Sequence, residues 1–473
     1  MDEFITCYPG LYLKEEQDYL DAYREQLKAN TARSRLSFEE IKATAEGMVM
    51  GVQLKIDVDP AEVQARMALV DPWNPLWTDL EYAKSCGYDR LPAPAVWPCP
   101  KGGYFGGLNR KMGDITAVKD HHHFCTFYRP IYQGDTLYPV LVDQTIMDIT
   151  PYTGSKTRTW ALRGSARVYN QDGELVMTQT CGAKECFKIY ADPARRTWQA
   201  ENIGAEAVEF ANHKIHTYTD ADWDMIRSLQ AQERRQGAQP LQWEDVQEGS
   251  FAIPAIDGPY TIAGKGGMIM SATAPGRSDI YLREHWGEPG LETVKDKYGI
   301  YHVPAIEEAE AAEKREAMER QMRLHPHPDE GRKEGGPDHK PPKKPPVDNS
   351  PSAVRGRGFF DNYTGRDSAL RAIYNWMGDS AQLVSLSWGI GSHDTALEGI
   401  PRFPNKEAPL QYVPGMEDRH TDVHGEEGDF NLNKIYIRRK YTDDAGRHLV
   451  DLIWWGENID SQIITEGTAT VAL

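Results

Sequence analysis

The sequence predicts an α+β protein made of two copies of one unit, each a helical stretch followed by an antiparallel sheet. Three observations carry this. Residues from about 115 to 190, and again from about 425 to the end, are rich in β-branched and aromatic residues and are broken by turn signals. A helix-forming region precedes each of these stretches. Landmarks also recur: Gly134-Asp135 matches Gly428-Asp429 and Asn170 matches Asn458, a period of about 290 residues.

The elements follow in order. Leu13–Ala45 is rich in Glu, Lys, Leu and Ala and reads as helix. In "DVDPAEVQARMALV", Asp59 is an N-cap and Pro60 sits at the first helical position. The next stretch, "VDPWNPLWTDLEYAKSCGYDRLPAPAVWP" (Val70–Pro98), reads as a loop and helix start. Strands follow, with a turn at Gln133-Gly134-Asp135 and a hairpin at Asn170-Gln171-Asp172-Gly173. The end of the chain repeats this plan, with a turn at Asn458-Ile459-Asp460-Ser461 between its last two strands. Between the copies lies a charged helix, then a Pro-, Gly- and charge-rich run from His325 to Pro351 that can bury little. The expected domains are 1–230, a first unit with a helical extension, and 231–473, a second unit carrying the insertion at about 305–351.

Composition excludes several classes. The chain has 473 residues, enough for two or three domains, and 40% of them are apolar. No apolar run approaches the roughly 20 residues of a membrane span. The acidic start "MDEFITCYPG" has no leader pattern, and the six cysteines are scattered, so reduced thiols and a cytoplasmic location are expected. A net charge of −18 argues against a nucleic-acid partner, while an anionic ligand would need a local basic patch. Cys181 and Cys186 are spaced too widely for a zinc knuckle. In a strand, His121 and His123 share a face opposite His122, and two ligands are not a site. His325, His327 and His339 lie in the solvated insertion. No metal is expected.

Several strings resemble the MaoC-like hydratases and dehydratases. They are Arg129-Pro130 with Gly134-Asp135, "GSKTRTWALRG" (154–164), "GAQPLQWEDVQEGSFAIPAIDGPYT" (237–261), "NWMGD" (375–379) and the closing "VDLIWWGEN…TEGTATVAL". The resemblance covers most of the chain outside 305–350. It implies a double hotdog fold, in which each sheet wraps a long central helix and two units pair edge to edge. It also implies acyl-CoA thioester substrates lying between the units.

Hydrating an enoyl thioester needs a base for water, an acid for the α carbon, and donors for the thioester oxygen. The family's motif is Asp, one residue, then Asn-Pro-Leu-His. Here Asn74-Pro75-Leu76 aligns, but Trp77 stands at the histidine, Pro72 at the aspartate, and Asp71 is one position early. An indole N–H only donates and cannot serve as acid or base. The expectation is therefore that Asn74-Pro75 starts the central helix, Trp77 packs in the core or lines the acyl pocket, and the second half carries the chemistry. That half also lacks the expected histidine pair, with Val347-Asp348 standing near its place.

Near that place, "FFDNYTGRD" (359–367) gathers Asp361, Asn362, Tyr363, Arg366 and Asp367. The resemblance puts this string at a helix N-terminus, where backbone N–H groups can hold a thioester oxygen. Tyr363 would be the proton donor or Asp361 the base; a helix cap with a structural Asp–Arg pair is the plainer reading. His285 is a reserve base, and Asp71 with Asn74 completes the catalytic candidates. Arg355 and Arg357, with Lys156 and Arg158, are candidates for binding CoA phosphates, and Arg129 is a further candidate for binding substrate. The function expected is a hydro-lyase on an acyl-CoA with a bulky or aromatic acyl group, with no cofactor besides the CoA of the substrate. Its alternatives are an acyl-CoA lyase, isomerase or thioesterase using Asp or Tyr chemistry, or a non-catalytic acyl-CoA-binding subunit. A homodimer, or a hetero-oligomer with another hotdog protein, is the expected assembly.

Overall fold

The computed structural model describes residues 3–46, 48–49, 52–99, 117–155, 157–192, 197–201, 216–239, 241–259, 288–290, 292–305, 362–390, 409–419 and 428–473, and positions 308, 312, 421, 423 and 425. Among them, twelve strands form one antiparallel sheet. Ten build its frame: β1 (Ile56–Asp57), β2 (Ala117–Phe127), β3 (Thr136–Asp148), β4 (Thr157–Tyr169), β5 (Leu175–Asp192), β6 (Ala255–Asp257), β7 (Gln382–Ile390), β8 (Asn431–Thr442), β9 (His448–Glu457) and β10 (Ile463–Ala472). Glu3–Phe4 and Thr197–Glu201 add to β5.

The order across the sheet is β1-β3-β4-β5-β2, then β7-β10-β9-β8-β6. The second five repeat the first five in reverse. The seam is the antiparallel pair β2·β7, with Thr126 opposite Ser385 and Phe124 opposite Ser387. This is the double hotdog arrangement, and the repeated landmarks fall at equivalent places. The Asn170 side-chain oxygen accepts from the N–H groups of Asp172 and Glu174 in the β4–β5 turn. Asn458 does the same with Asp460 and Gln462 in the β9–β10 turn. The resulting Asx turns fix both hairpins in the same register.

The helical stretch expected over 13–45 is broken in two. Helix α1 (Lys14–Thr31) ends in a 3-10 turn, and Ser37 with Glu40 then forms a capping box that starts α2 (Phe38–Ala43). The α1 side chains Leu20, Tyr23 and Leu27 cluster with Trp160 and Leu162 of β4. Ala166 and Val168, on the same face of β4 by strand alternation, belong instead to the core shared by both halves. One face of a long strand thus serves two layers.

The expected cap at Asp59 is present. Its carboxylate accepts from the N–H groups of Ala61 (2.7 Å) and Glu62 (3.2 Å) and starts α3 (Pro60–Val70). Asn74-Pro75 does not start a long helix, contrary to the sequence expectation. Asn74 caps a three-residue 3-10 turn, Pro75–Trp77, because Asp79 captures the N–H groups of Glu81 and Tyr82 and opens a new helix, α4 (Leu80–Ser85). Helix α5 (Asp220–Gln230) precedes the second unit, and α6 (Asn362–Met377) packs against β6 to β10.

Helix α6 ends at Gly378, whose φ is +86°. A Cβ there would lie 2.9 Å from the Gln239 carbonyl oxygen. Backbone strain and this contact both oppose a side chain, so Gly378→Ala is expected to destabilise the protein by about 1–3 kcal/mol. Urea unfolding of the variant checks it.

A candidate active site between the two halves

The loop after α3 and the second half's helix α6 meet across the molecule. Asp71 closes α3, its N–H donating to the Met67 carbonyl at 2.8 Å. Its side chain is 2% exposed. Oδ2 accepts two hydrogen bonds, from the Asn74 amide at 2.8 Å and the Trp77 indole N–H at 3.1 Å. Oδ1 is buried and has no hydrogen-bond partner among the described residues. A buried carboxylate oxygen left without a donor costs on the order of 1–3 kcal/mol or more, so its presence calls for an explanation.

Asp71 lines a cavity of about 20 Å³, together with Trp77 and Trp97 from the first half and Arg366, Arg371 and Tyr374 from α6. That volume holds one water molecule. Burial raises the pKa of Asp71 above the ordinary carboxylate range. Arg235 opposes the shift most, followed by the hydrogen bonds from Trp77 and Asn74 and by Arg371. Burial also pushes the Tyr374 phenol well up, and Tyr374 stands edge-on to Trp77, with ring centroids 5.5 Å apart.

Buried ion pairs hold the walls. Asp367 accepts from Arg366 at 2.7 Å and also pairs with Arg66 of α3. Arg371 donates to the Ile256 carbonyl at 2.7 Å and the Val70 carbonyl at 3.3 Å, tying α6 to β6 and to the end of α3. Asp379, just past α6, is fully buried. It accepts from Asn74 at 3.0 Å, Tyr82 at 2.6 Å and Arg235 at 2.6 Å.

Of the residues singled out in the sequence, Asp71, Asn74 and Trp77 come together, and Arg366 joins them from the other half. Trp77 packs in the core as expected, at 1% exposure, but it also donates to Asp71. The helix-cap reading of "FFDNYTGRD" holds as far as a buried Asp367–Arg366 pair. Asn362 and Tyr363 lie in the first turn of α6, their side chains outside the described residues, as are Asp361, His285, Asp348, Arg355, Arg357, His325, His327 and His339. Arg129 is exposed, pairs with Glu174 at 3.3 Å and does not line the cavity. His123 is buried, stacked on Trp388 at 4.7 Å and bonded to Gln179 at 2.8 Å. Among the described residues no group of three or more acidic, His or Cys side chains is arranged to hold a metal. No helix among them is long and apolar enough to cross a membrane.

Sequence reasoning assigned no role to Arg371, Arg235, Tyr82 or Asp379. Asp379 lay in the "NWMGD" string, and Met377-Gly378-Asp379 before β7 repeats Met112-Gly113-Asp114 before β2.

Residues 47–179 match the family model described as FAS1-like, dehydratase domain region. No curated protein sequence matches the chain. Solved structures similar to it include a conserved hypothetical protein from Mycobacterium tuberculosis with a double hotdog fold (11% identity, 91% of this chain and 97% of that chain, TM-score 0.42). A MaoC-like dehydratase from Rhodospirillum rubrum is similar over 28% of this chain and 86% of that chain (23% identity, TM-score 0.21). The R-hydratase of Pseudomonas aeruginosa is similar over 29% and 84% (18% identity, TM-score 0.18). The order of strands in the sheet bears out the fold that the resemblance implied, and residues 47–179 are similar to a dehydratase domain region.

Proposed function

We propose, for a chain whose residues 47–179 are similar to FAS1-like dehydratase regions, that it is a hydro-lyase adding or removing water at the α,β double bond of an acyl-CoA thioester, with Asp71 as the proton-transfer group. The observation that carries this is the Asp71 Oδ1, left without a donor among the described residues beside a cavity the size of one water. The carboxylate takes a proton from that water as its oxygen bonds to the β carbon. The double-bond electrons pass toward the thioester oxygen, and the protonated Asp71 then delivers a proton to the α carbon. One carboxylate can therefore serve both transfers, which is how Trp77 can stand where the family has histidine. Asn74 and Trp77 bind Oδ2, keeping Oδ1 for the water.

The purified chain is expected to remove the conjugated-enoyl absorbance of crotonyl-CoA or an aryl-enoyl-CoA without releasing free thiol. Thiol release would indicate a thioesterase. Turnover only after adding a histidine-bearing hotdog partner would indicate a binding subunit.

The pH dependence follows from the burial of Asp71. Hydration needs the carboxylate ionised, so kcat/KM falls as pH drops through the raised pKa. The acid limb is expected above the ordinary aspartate range of about 4. A limb at or below that range, in a pH–rate profile on crotonyl-CoA, contradicts Asp71 as base.

A further inference from the structure

We infer that Asp379, contributed by the second half, is a positioning residue for the Asp71 centre of the first half. The inference rests on the reading of Asp71 as the base. The Asn74 amide has two hydrogens, and the structure uses both on carboxylates: one on Asp71 Oδ2 at 2.8 Å and one on Asp379 Oδ1 at 3.0 Å. An amide held at both N–H groups cannot rotate, so its grip on Asp71 is set by where Asp379 stands. Asn74's own oxygen is occupied as well, accepting from the Leu76 N–H at 2.9 Å.

Asp379 is itself fixed from every side. Its Oδ2 accepts from the Tyr82 hydroxyl and from the Arg235 guanidinium, each at 2.6 Å. Its N–H donates to the Gly237 carbonyl at 2.8 Å. Arg235 also donates to the Trp73 carbonyl at 2.6 Å, fastening the loop between Asp71 and Asn74 to the same point. Three separate segments meet there: the 71–82 loop and helix of the first unit, the 235–237 segment, and the end of α6. The partly exposed Arg235 in turn supplies the positive charge that the fully buried Asp379 carboxylate needs. The chain Arg235–Asp379–Asn74–Asp71 therefore runs from one half into the other, and the centre is composite: neither unit alone holds the base in place.

The test is a double-mutant cycle on enoyl-CoA hydration together with a crystal structure. Asp379→Asn sets an NH2 group against the amide of Asn74 in the one orientation that keeps its bonds to Tyr82 and Arg235, or gives up those bonds in the other. It is expected to lower kcat by about 10²-fold, the scale of a misplaced reacting group, with KM little changed. Asn74→Ala is expected to do the same, and the double variant to be no worse than the poorer single one. Independent, multiplying losses would overturn the inference. The Asp379→Asn structure is expected to show Asn74 released from Asp71, and an unchanged Asn74–Asp71 bond would equally overturn it. Should Asp379→Asn not fold, Arg235→Gln takes its place in the same cycle. Asp71→Asn separates the two ideas. If that variant stays active, the base assignment fails; if it is dead while the cycle is additive, only the positioning role fails.

Discussion

Asp71→Asn is expected to lower the hydration rate on the order of 10²- to 10⁴-fold, the contribution of a positioned proton-transfer group. It should leave the protein folded and no less stable at neutral pH. The asparagine oxygen can still accept from Asn74 and Trp77, as Oδ2 does, and its NH2 group replaces the orphaned Oδ1. The sign follows from linkage. Burial raises the folded-state pKa of Asp71, so the native state holds this proton more tightly than the unfolded chain. The stabilisation is fully present below the unfolded pKa and is lost as pH rises through the folded one. Above its raised folded-state pKa the ionised Asp71 is a net cost to folding, and the neutral amide removes it. Activity and urea unfolding measured side by side check the pairing. A variant that loses activity and stability together would mean that Asp71 is a structural group.

Arg158→Ala is expected to cost about 3–5 kcal/mol of stability, the scale for a broken buried ion pair. Arg158 is 2% exposed. It pairs with Glu16 of α1 at 3.0 Å and Asp148 of β3 at 3.1 Å. Its remaining N–H groups hold the carbonyls of Tyr8 (2.6 Å) and Leu11 (2.7 Å). One side chain thus fastens the N-terminal arm, the start of α1 and the sheet. Removing it strands two carboxylates in a place where burial already pushes the Cys7 thiol up to about 11 and the Tyr12 phenol up to about 12. Replacing Arg158 and Glu16 together by methionine and leucine should recover part of the loss, because the main cost is the unpaired charge. Urea unfolding read at β-sheet and tyrosine signals checks both variants. A cost near zero for the single change would mean that the arm contributes nothing to the folded state.

Local signals in the chain were enough for the units. The Asx turns at Asn170 and Asn458 bond only to residues two and four positions on, so their meaning is local. The same is true of the Asp59 cap and Pro60. Where competing local signals lay close together, reading by composition failed: the capping box at Ser37 broke one expected helix, and Asp79 cut short the one expected from Asn74. "DPWNPLW" suggested a packing role, because an indole in place of an imidazole removes the familiar chemistry.

By itself the sequence determined two repeated units, their turns and the absence of a motif histidine. Only the tertiary structure decided that the seam is the β2·β7 pair, that α6 closes the first half's cavity and that Asp379 grips Asn74. The reason is separation: Asn74 and Asp379 lie 305 positions apart. Which buried donor meets which carboxylate is set by the seam between the halves, and no local propensity encodes it. The Asp71 Oδ1, which has no donor among the described residues, is a property of that seam as well.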